Sequence, residues 1–228
     1  TLDRSSAASD VYKRQMYRRF GAFQCNLLLE GFYTRLNHVF VLEEIGKDEE
    51  HNAVIKERRN GQGAEVAGVT VEGKVAYLSL VQLQAGVTWQ KSHYTRPEKW
   101  SKDSSVPAEK RIFRTPDWYG YFTATYSPVK PLNIALSGTY TGSMIVQHMK
   151  GYIPKDMAVT TPDFFDMNLK ISYDFSLYKF ITLQLNAGVQ NIFNAYQRDF
   201  DQGKERDSGY IYGPSMPRSY FAGAKLMF

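Results

Sequence analysis

Between Ile181 and Gln190, apolar and polar side chains alternate without a break. Ile181, Leu183, Leu185, Ala187 and Val189 form one row; Thr182, Gln184, Asn186, Gly188 and Gln190 form the other. A period of two predicts a β-strand with one apolar and one polar face. At the end of the chain Tyr220, Ala222, Ala224, Leu226 and Phe228 make a second such row against Phe221, Gly223, Lys225 and Met227. The same pattern runs upstream. Phe23, Cys25, Leu27, Leu29, Gly31 and Tyr33 oppose Gln24, Asn26, Leu28, Glu30, Phe32 and Thr34, and the run continues through Val39 and Val41. A returning strand is expected over residues 55–77, with Val69, Val71, Val75 and Tyr77 against Thr70, Glu72 and Lys74. Further rows begin at Val81, Trp118, Leu132 and Phe165 and end near Gln90, Tyr126, Thr141 and Phe175. Together they predict about eight antiparallel strands.

The joins between these strands alternate in length. Those near Leu78, at 127–131 and at 176–179 are short; those near Gly46, at 95–114, 150–162 and 198–213 are long. Short turns at one end and long loops at the other mark the periplasmic and extracellular ends of an outer-membrane barrel. By this parity the last strand runs toward the periplasm and leaves Phe228 there. Mean hydropathy is only −0.41, and no run approaches the ~18 consecutive apolar residues of a membrane helix. That suits a barrel, because lipid-facing and lumen-facing residues alternate and keep the average low. The 16 Tyr and 14 Phe suit interfacial aromatic girdles. The expected fold class is therefore all-β, an antiparallel up-and-down transmembrane β-barrel segment. The single Cys25 excludes an internal disulfide and a cysteine-based metal site; on the lipid-facing row it reads as a small apolar filler. A net charge of +5 without a basic, aromatic-laced stripe excludes nucleic acid as a partner.

Residues 1–15 fall outside the alternation and lack the apolar core of a signal peptide. Residues 5–15 resemble translated sequencing-adaptor read-through. They are expected to be a non-native, disordered leader, with the barrel beginning at residue 16. An outer-membrane protein needs an export signal, so the start is expected to be truncated.

Several stretches carry a resemblance: Glu30-Gly-Phe-Tyr-Thr-Arg-Leu36, Gly63-Ala-Glu-Val-Ala-Gly-Val-Thr-Val-Glu-Gly73, Phe164-Phe-Asp-Met-Asn-Leu-Lys170, Gly188-Val-Gln-Asn-Ile-Phe-Asn194 and Tyr210-Ile-Tyr-Gly-Pro-Ser-Met-Pro-Arg-Ser-Tyr220. Together they resemble the C-terminal barrel portion of TonB-dependent outer-membrane receptors, in the style of Bacteroidetes-like bacteria. The resemblance covers residues 20–228. It implies active import of a scarce nutrient (ferric siderophore, haem, cobalamin or oligosaccharide) energised through the TonB complex. It also implies that a plug domain, the TonB-contact segment and most of a barrel of roughly 22 strands lie outside this chain. Tyr220, Leu226 and Phe228 then resemble the signal read by the outer-membrane assembly machinery. Lipid and lipopolysaccharide would surround the barrel.

Candidate chemistry is sparse, and no enzyme is expected. The His residues at 38, 51, 93 and 148 lie in different segments, none paired at i, i+4, and read as exposed loop side chains with haem or metal capture as the alternative. Glu43, Glu44, Asp48, Glu49 and Glu50 could hold Ca²⁺ or form a solvated hairpin tip. No cofactor is expected. The ligand-facing candidates are the basic loop with Arg96, Trp100, Lys102, Arg111 and Arg114, which could steer an anionic chelate or touch lipopolysaccharide phosphate. The second set is Arg198, Asp199, Asp201 and Arg206, either facing substrate or fixing their own loop. The other reading is a self-contained eight-stranded barrel with a structural or enzymatic role. Its nearest nucleophile–base pair, Ser92 and His93, would point to opposite faces of a strand.

Overall fold

The computed structural model describes residues 6–37, 40–48, 50 and 53–228. They form fourteen strands and no α-helix. In chain order the strands are β1 (Ser6–Phe20), β2 (Phe23–Asn37), β3 (Phe40–Asp48), β4 (Ala53–Asn60), β5 (Ala64–Tyr77), β6 (Val81–Glu98) and β7 (Glu109–Arg111). They continue as β8 (Trp118–Val129), β9 (Leu132–Thr141), β10 (Ile145–His148), β11 (Met157–Thr160), β12 (Phe164–Tyr178), β13 (Ile181–Gln190) and β14 (Ser219–Met227). The main sheet is an antiparallel meander in the order β1-β2-β5-β6-β8-β9-β12-β13-β14, with β7 alongside β6. Eight of these strands are the ones the alternation predicts. The ninth is β1.

Turns of two or three residues, at 21–22, 78–80, 130–131 and 179–180, join strands at one end of the sheet. The connections at the other end, residues 38–63, 99–117, 142–163 and 191–218, carry β3–β4, β7 and β10–β11. The expected alternation of short and long joins is therefore present. β8 and β12 run further into their turns than expected, through register shifts at Tyr126/Val129 and Ser176/Tyr178 that absorb the extra residues as bulges.

Strand β6 shows what surrounds the sheet. Val87 and Trp89 are 44 % and 41 % exposed, while Thr88, Gln90 and Ser92 between and beyond them are buried at 5–8 %. In water this pattern would be inverted. It is the pattern of a wall with lipid outside and a polar lumen within. The outward row crosses strands in register: Phe23, Tyr77, Val81, Tyr126, Ile134, Ile171, Ala187 and Ala222 are successive partners. Rings flank the band at both ends. Trp89 and Trp118 stand 6.3 Å apart toward the long loops, and Phe23 and Tyr77 stand 4.5 Å apart by the turns. From Val81 to Trp89 is about 27 Å along the strand, or about 20 Å of height at the usual barrel tilt, close to an apolar band. Cys25 lies on this row between Val75 and Arg18.

Four aromatic side chains lie over the glycine directly across from them. Phe32 covers Gly68, Tyr121 covers Gly86, Phe122 covers Gly138, and Phe221 covers Gly188. This accounts for Phe32, Tyr121 and Phe221 on the polar row: each ring lies flat along the wall where a Cβ would stand. The polar row is otherwise cross-linked by short hydrogen bonds. Examples are Thr70–Thr88 at 2.9 Å, Gln84 to the Tyr121 hydroxyl at 3.2 Å, and Gln184 to Asp174 at 2.8 Å.

Three expectations are corrected. The run from Phe23 to Val41 is two strands, because β2 leaves the main sheet at Asn37 and β3 pairs with β4 in a separate hairpin. Likewise residues 55–77 divide into β4 and β5 at Gly61-Gln62-Gly63, where the Gly63 Cα passes so close to the Leu36 carbonyl that a Cβ would stand 2.9 Å from it. Residues 6–15, expected to be disordered, pair with β2 from Ser6↔Asn37 onward. Backbone pairing against an open edge needs little from side chains, and the rows of β1 show it. Asp10, Arg14 and Arg18 take outward positions beside Tyr33, Leu29 and Cys25, where the other strands carry apolar groups. At the far side of the sheet β14 ends the order, and among the described residues β1 and β14 do not pair with each other.

Candidate functional site

The long connections gather into one assembly, whose elements are tied by buried polar groups. Asn191 closes β13. It takes a left-handed φ of 51°, which Asn tolerates. Its backbone N–H donates to Asn168 Oδ1 (2.9 Å), its Nδ2 donates to the carbonyls of Ala195 and Met216 (3.1 and 3.0 Å), and its Oδ1 accepts from Ala195 N–H (2.8 Å). The 191–218 loop is thereby folded back on itself at its root. Gln197, 1 % exposed, repeats the device: Nε2 donates to the Tyr210 carbonyl at 3.1 Å and Oε1 accepts from Tyr212 N–H at 2.9 Å.

Asp199 accepts from both phenols, Tyr210 at 2.9 Å and Tyr212 at 2.6 Å. Partial burial pushes the Asp199 carboxyl up, but the bonds from Tyr212 and Tyr210 outweigh it and hold the group below the usual carboxylate range. Burial first, then the Asp199 carboxylate, pushes Tyr210 up to about 12, and the same causes in the same order raise Tyr212. Both phenols therefore stay protonated and donating at neutral pH.

Asp201 faces the β10–β11 hairpin. Its two oxygens lie 3.0 and 2.9 Å from His148 Nε2, and the imidazole stacks on Tyr210 with ring centroids 3.7 Å apart and planes at 7°. Asp207 accepts from Met149 N–H at 2.8 Å. The 99–117 segment is bound in through Arg114, which donates to the carbonyls of Gly209 and Ile211, and through Ser101, which donates to Asp156 Oδ2 at 2.5 Å.

The structure sorts the expected ligand residues into two groups. Arg114, Asp199 and Asp201 meet in this assembly, spent on holding it. Trp100 also serves the fold, donating to the Pro107 carbonyl at 3.2 Å and packing edge-on against Phe113. Arg96, Lys102, Arg111, Arg198 and Arg206 are exposed. Among these, Arg111 approaches Glu109 at 3.6 Å and Arg198 sits 5.0 Å over the Tyr196 ring.

His148, expected to be an exposed loop side chain, is buried at 7 %, because the 191–218 loop folds over it. His93 pairs with Glu65 at 3.5 Å, on the face opposite Ser92. His38, His51 and Glu49 lie outside the described residues, as do the side chains of Glu43, Glu44 and Asp48. Among the described residues no three His, Cys, Asp or Glu side chains converge as a metal site. Sequence reasoning missed Gln197, Tyr210, Tyr212 and Asp156. The available signal was the Tyr210-Ile-Tyr212 spacing, which puts two phenols on one side of an extended segment.

The family described as TonB dependent receptor-like, beta-barrel, matches residues 17–192. Among solved structures, the chain is similar to the ferric-catecholate import receptor Fiu from K12 E. coli, with a TM-score of 0.64 at 18 % identity over 99 % of this chain and 28 % of that one. It is similar to the pyoverdine outer-membrane receptor FpvA from Pseudomonas aeruginosa PAO1 (TM-score 0.63, 14 % identity, 97 % of this chain and 30 % of that one). The ferric citrate transporter FecA gives a TM-score of 0.58 at 17 % identity over 96 % of this chain and 31 % of that one. This chain thus spans under a third of the length of each. No curated protein sequence matches it.

Proposed function

The chain belongs to the TonB-dependent receptor β-barrel family, and on that premise we propose that the complete protein imports an anionic ferric chelate across the outer membrane. Proteins of this family are receptors and transporters of the Gram-negative outer membrane, not enzymes. The observation that supports a chelate is the division of charge in the loop assembly. Asp156, Asp201 and Asp207 turn their carboxylates inward onto hydrogen-bond donors, and the exposed Asp199 is held by two phenols. Arg96, Arg111, Arg198, Lys204 and Arg206 are exposed at the surface. Asp163, Asp199 and Glu205 are exposed as well, but exposed bases outnumber them in these connections, and a mouth with such a surplus attracts anions and speeds their capture. The similar structures are named for ferric catecholate, pyoverdine and ferric citrate, which fits the same chemistry.

In the complete receptor, R198E/R206E should slow ferric-chelate association about tenfold at low ionic strength and flatten its salt dependence. Stopped-flow quenching with ferric citrate and a ferric catecholate reads this. Unchanged association with either, together with growth on an oligosaccharide that needs the receptor, would replace the chelate by a glycan.

The proposal extends to the two ends of the chain. Residues 1–15 are foreign to the barrel: the family match begins at residue 17, and β1 would set Asp10 and Arg14 against lipid. Tyr220, Leu226 and Phe228 serve assembly, the ring of Phe228 being 90 % exposed at the turn end of β14. A receptor with the natural upstream sequence in place of residues 1–15 should reach the membrane in full, while removal of Phe228 lowers its amount without changing affinity per molecule. Quantitative blotting of outer membranes with binding per receptor tests both, and full insertion without Phe228 would remove the assembly role.

A further inference from the structure

We infer that His148 and Asp201 form a pH-dependent latch that fastens the 191–218 loop to the β10–β11 hairpin and so sets whether these two outer elements move as one body. The contact joins residues 53 positions apart. Asp201 is nearly closed off, with 2 % of its side chain exposed against 10 % for His148. Asp201 Oδ2 also accepts from Asp207 N–H at 2.9 Å, and the Asp207 carboxylate reaches back to Met149 N–H at 2.8 Å and Gly209 N–H at 2.8 Å. The clamp is therefore reciprocal: residue 148 gives its side chain to the loop, and the loop gives a carboxylate to residue 149. If the imidazole shifts, both halves lose their register.

Charge decides how firmly the latch holds. The charged and titratable groups bonded into the latch and its surroundings are Asp199, Asp201, Asp207, Tyr210 and Tyr212 on the loop, Lys150 and Asp156 on its own hairpin, and Arg114 on the 99–117 segment; Arg198, Lys204, Glu205 and Arg206 on the loop and Lys155 on the hairpin connection are exposed. Arg114 is spent on backbone carbonyls and Asp199 on phenols, so the imidazolium is the cation placed against the Asp201 carboxylate. A protonated ring gives a charge-assisted bond to a nearly buried anion; a neutral ring keeps one N–H donor but leaves the anion's charge without a counter-charge. Imidazole is the side chain whose charge changes between about pH 5 and 8. The latch thus closes at acid pH and loosens as pH rises. Nothing in this depends on which ligand the receptor carries.

The test is double electron–electron resonance on the complete receptor in bilayers, with Cys25→Ser and nitroxides at Lys155→Cys and Lys204→Cys. One narrow distance is expected at pH 5.5. At pH 8.5 a longer-distance population should appear, with the closed-to-open ratio reduced about fivefold to tenfold, the difference between a charged and a neutral hydrogen bond. H148Q should remove the pH response. D201N keeps the acceptor but not the charge; it should remove the response too and guards against misfolding of H148Q. An identical distribution at both pH values in the native receptor, or a native-like pH response in either variant, would overturn the latch.

Discussion

Leu83→Lys should destabilise the complete, membrane-inserted receptor by about 2–4 kcal/mol, the cost of a cation near the lipid midplane. Gln82→Lys, one residue away, should change it by less than about 0.5 kcal/mol. Leu83 lies on the outward row between Val75 and Ala124, and Gln82 on the inward row between Ala76 and Thr125. In a soluble sheet both positions are exposed and the two substitutions would be nearly equivalent. Urea unfolding from phospholipid bilayers measures the difference. Equal effects would mean that lipid does not cover the Val87–Trp89 face.

A second large effect is expected at Gly188. A Cβ there would stand 2.3 Å from the Leu169 carbonyl oxygen on β12 and 2.5 Å from the ring of Phe221 on β14. The ring can swing away, but the carbonyl belongs to the ladder. Gly188→Val must therefore part β12 from β13 or break the pairing, at about 3 kcal/mol or more, the upper end of overpacking costs. Gly73, whose Cβ would meet nothing within 4 Å, is the control. Gly73→Ala should stay within about 0.5 kcal/mol. Thermal unfolding followed by loss of the slow-migrating folded band on unheated gels ranks the two, and equal mobility of both variants would show that the Phe221–Gly188 stack is not what fixes this strand pair.

The eight strands of the main sheet from β2 to β14 were legible because a wall between lipid and a polar lumen writes a period of two into each of them. Loop-length alternation was legible for the same reason, since each crossing reverses direction. The failures have physical causes. β1 was invisible because Asp10, Arg14 and Arg18 break its rows; its pairing rests on the backbone ladder and on polar contacts such as Ser9–Thr34, Gln15–Asn26 and Lys13–Glu30, which no apolar period announces. The β2–β3 and β4–β5 boundaries were invisible because alternation continues through them, and the change of partner leaves only the Gly61-Gln62-Gly63 signal. The loop assembly was least legible. His148 with Asp201, Ser101 with Asp156, and Arg114 with Gly209 join residues 53, 55 and 95 positions apart, and no local period encodes such meetings. Asp199 and Asp201 stood out in the sequence as facing either substrate or their own loop; in the structure their carboxylates bond to Tyr210, Tyr212 and His148.

Among the described residues the main sheet has two free edges, and these bear on how the molecule comes to exist at all. Along β1 and β14, every second residue directs its N–H and C=O away from the sheet, into what would be hydrocarbon. At several kcal/mol for each unsatisfied group, a nine-residue border carries a penalty on the order of tens of kcal/mol. That exceeds the whole net stability of an ordinary domain, about 5–15 kcal/mol. An arc of this kind is therefore no thermodynamic unit, however regular its interior. On the proposal that the chain belongs to a larger barrel, stability arrives only with the bonds that turn the arc into a ring, and the strands of such a barrel are kept or lost together.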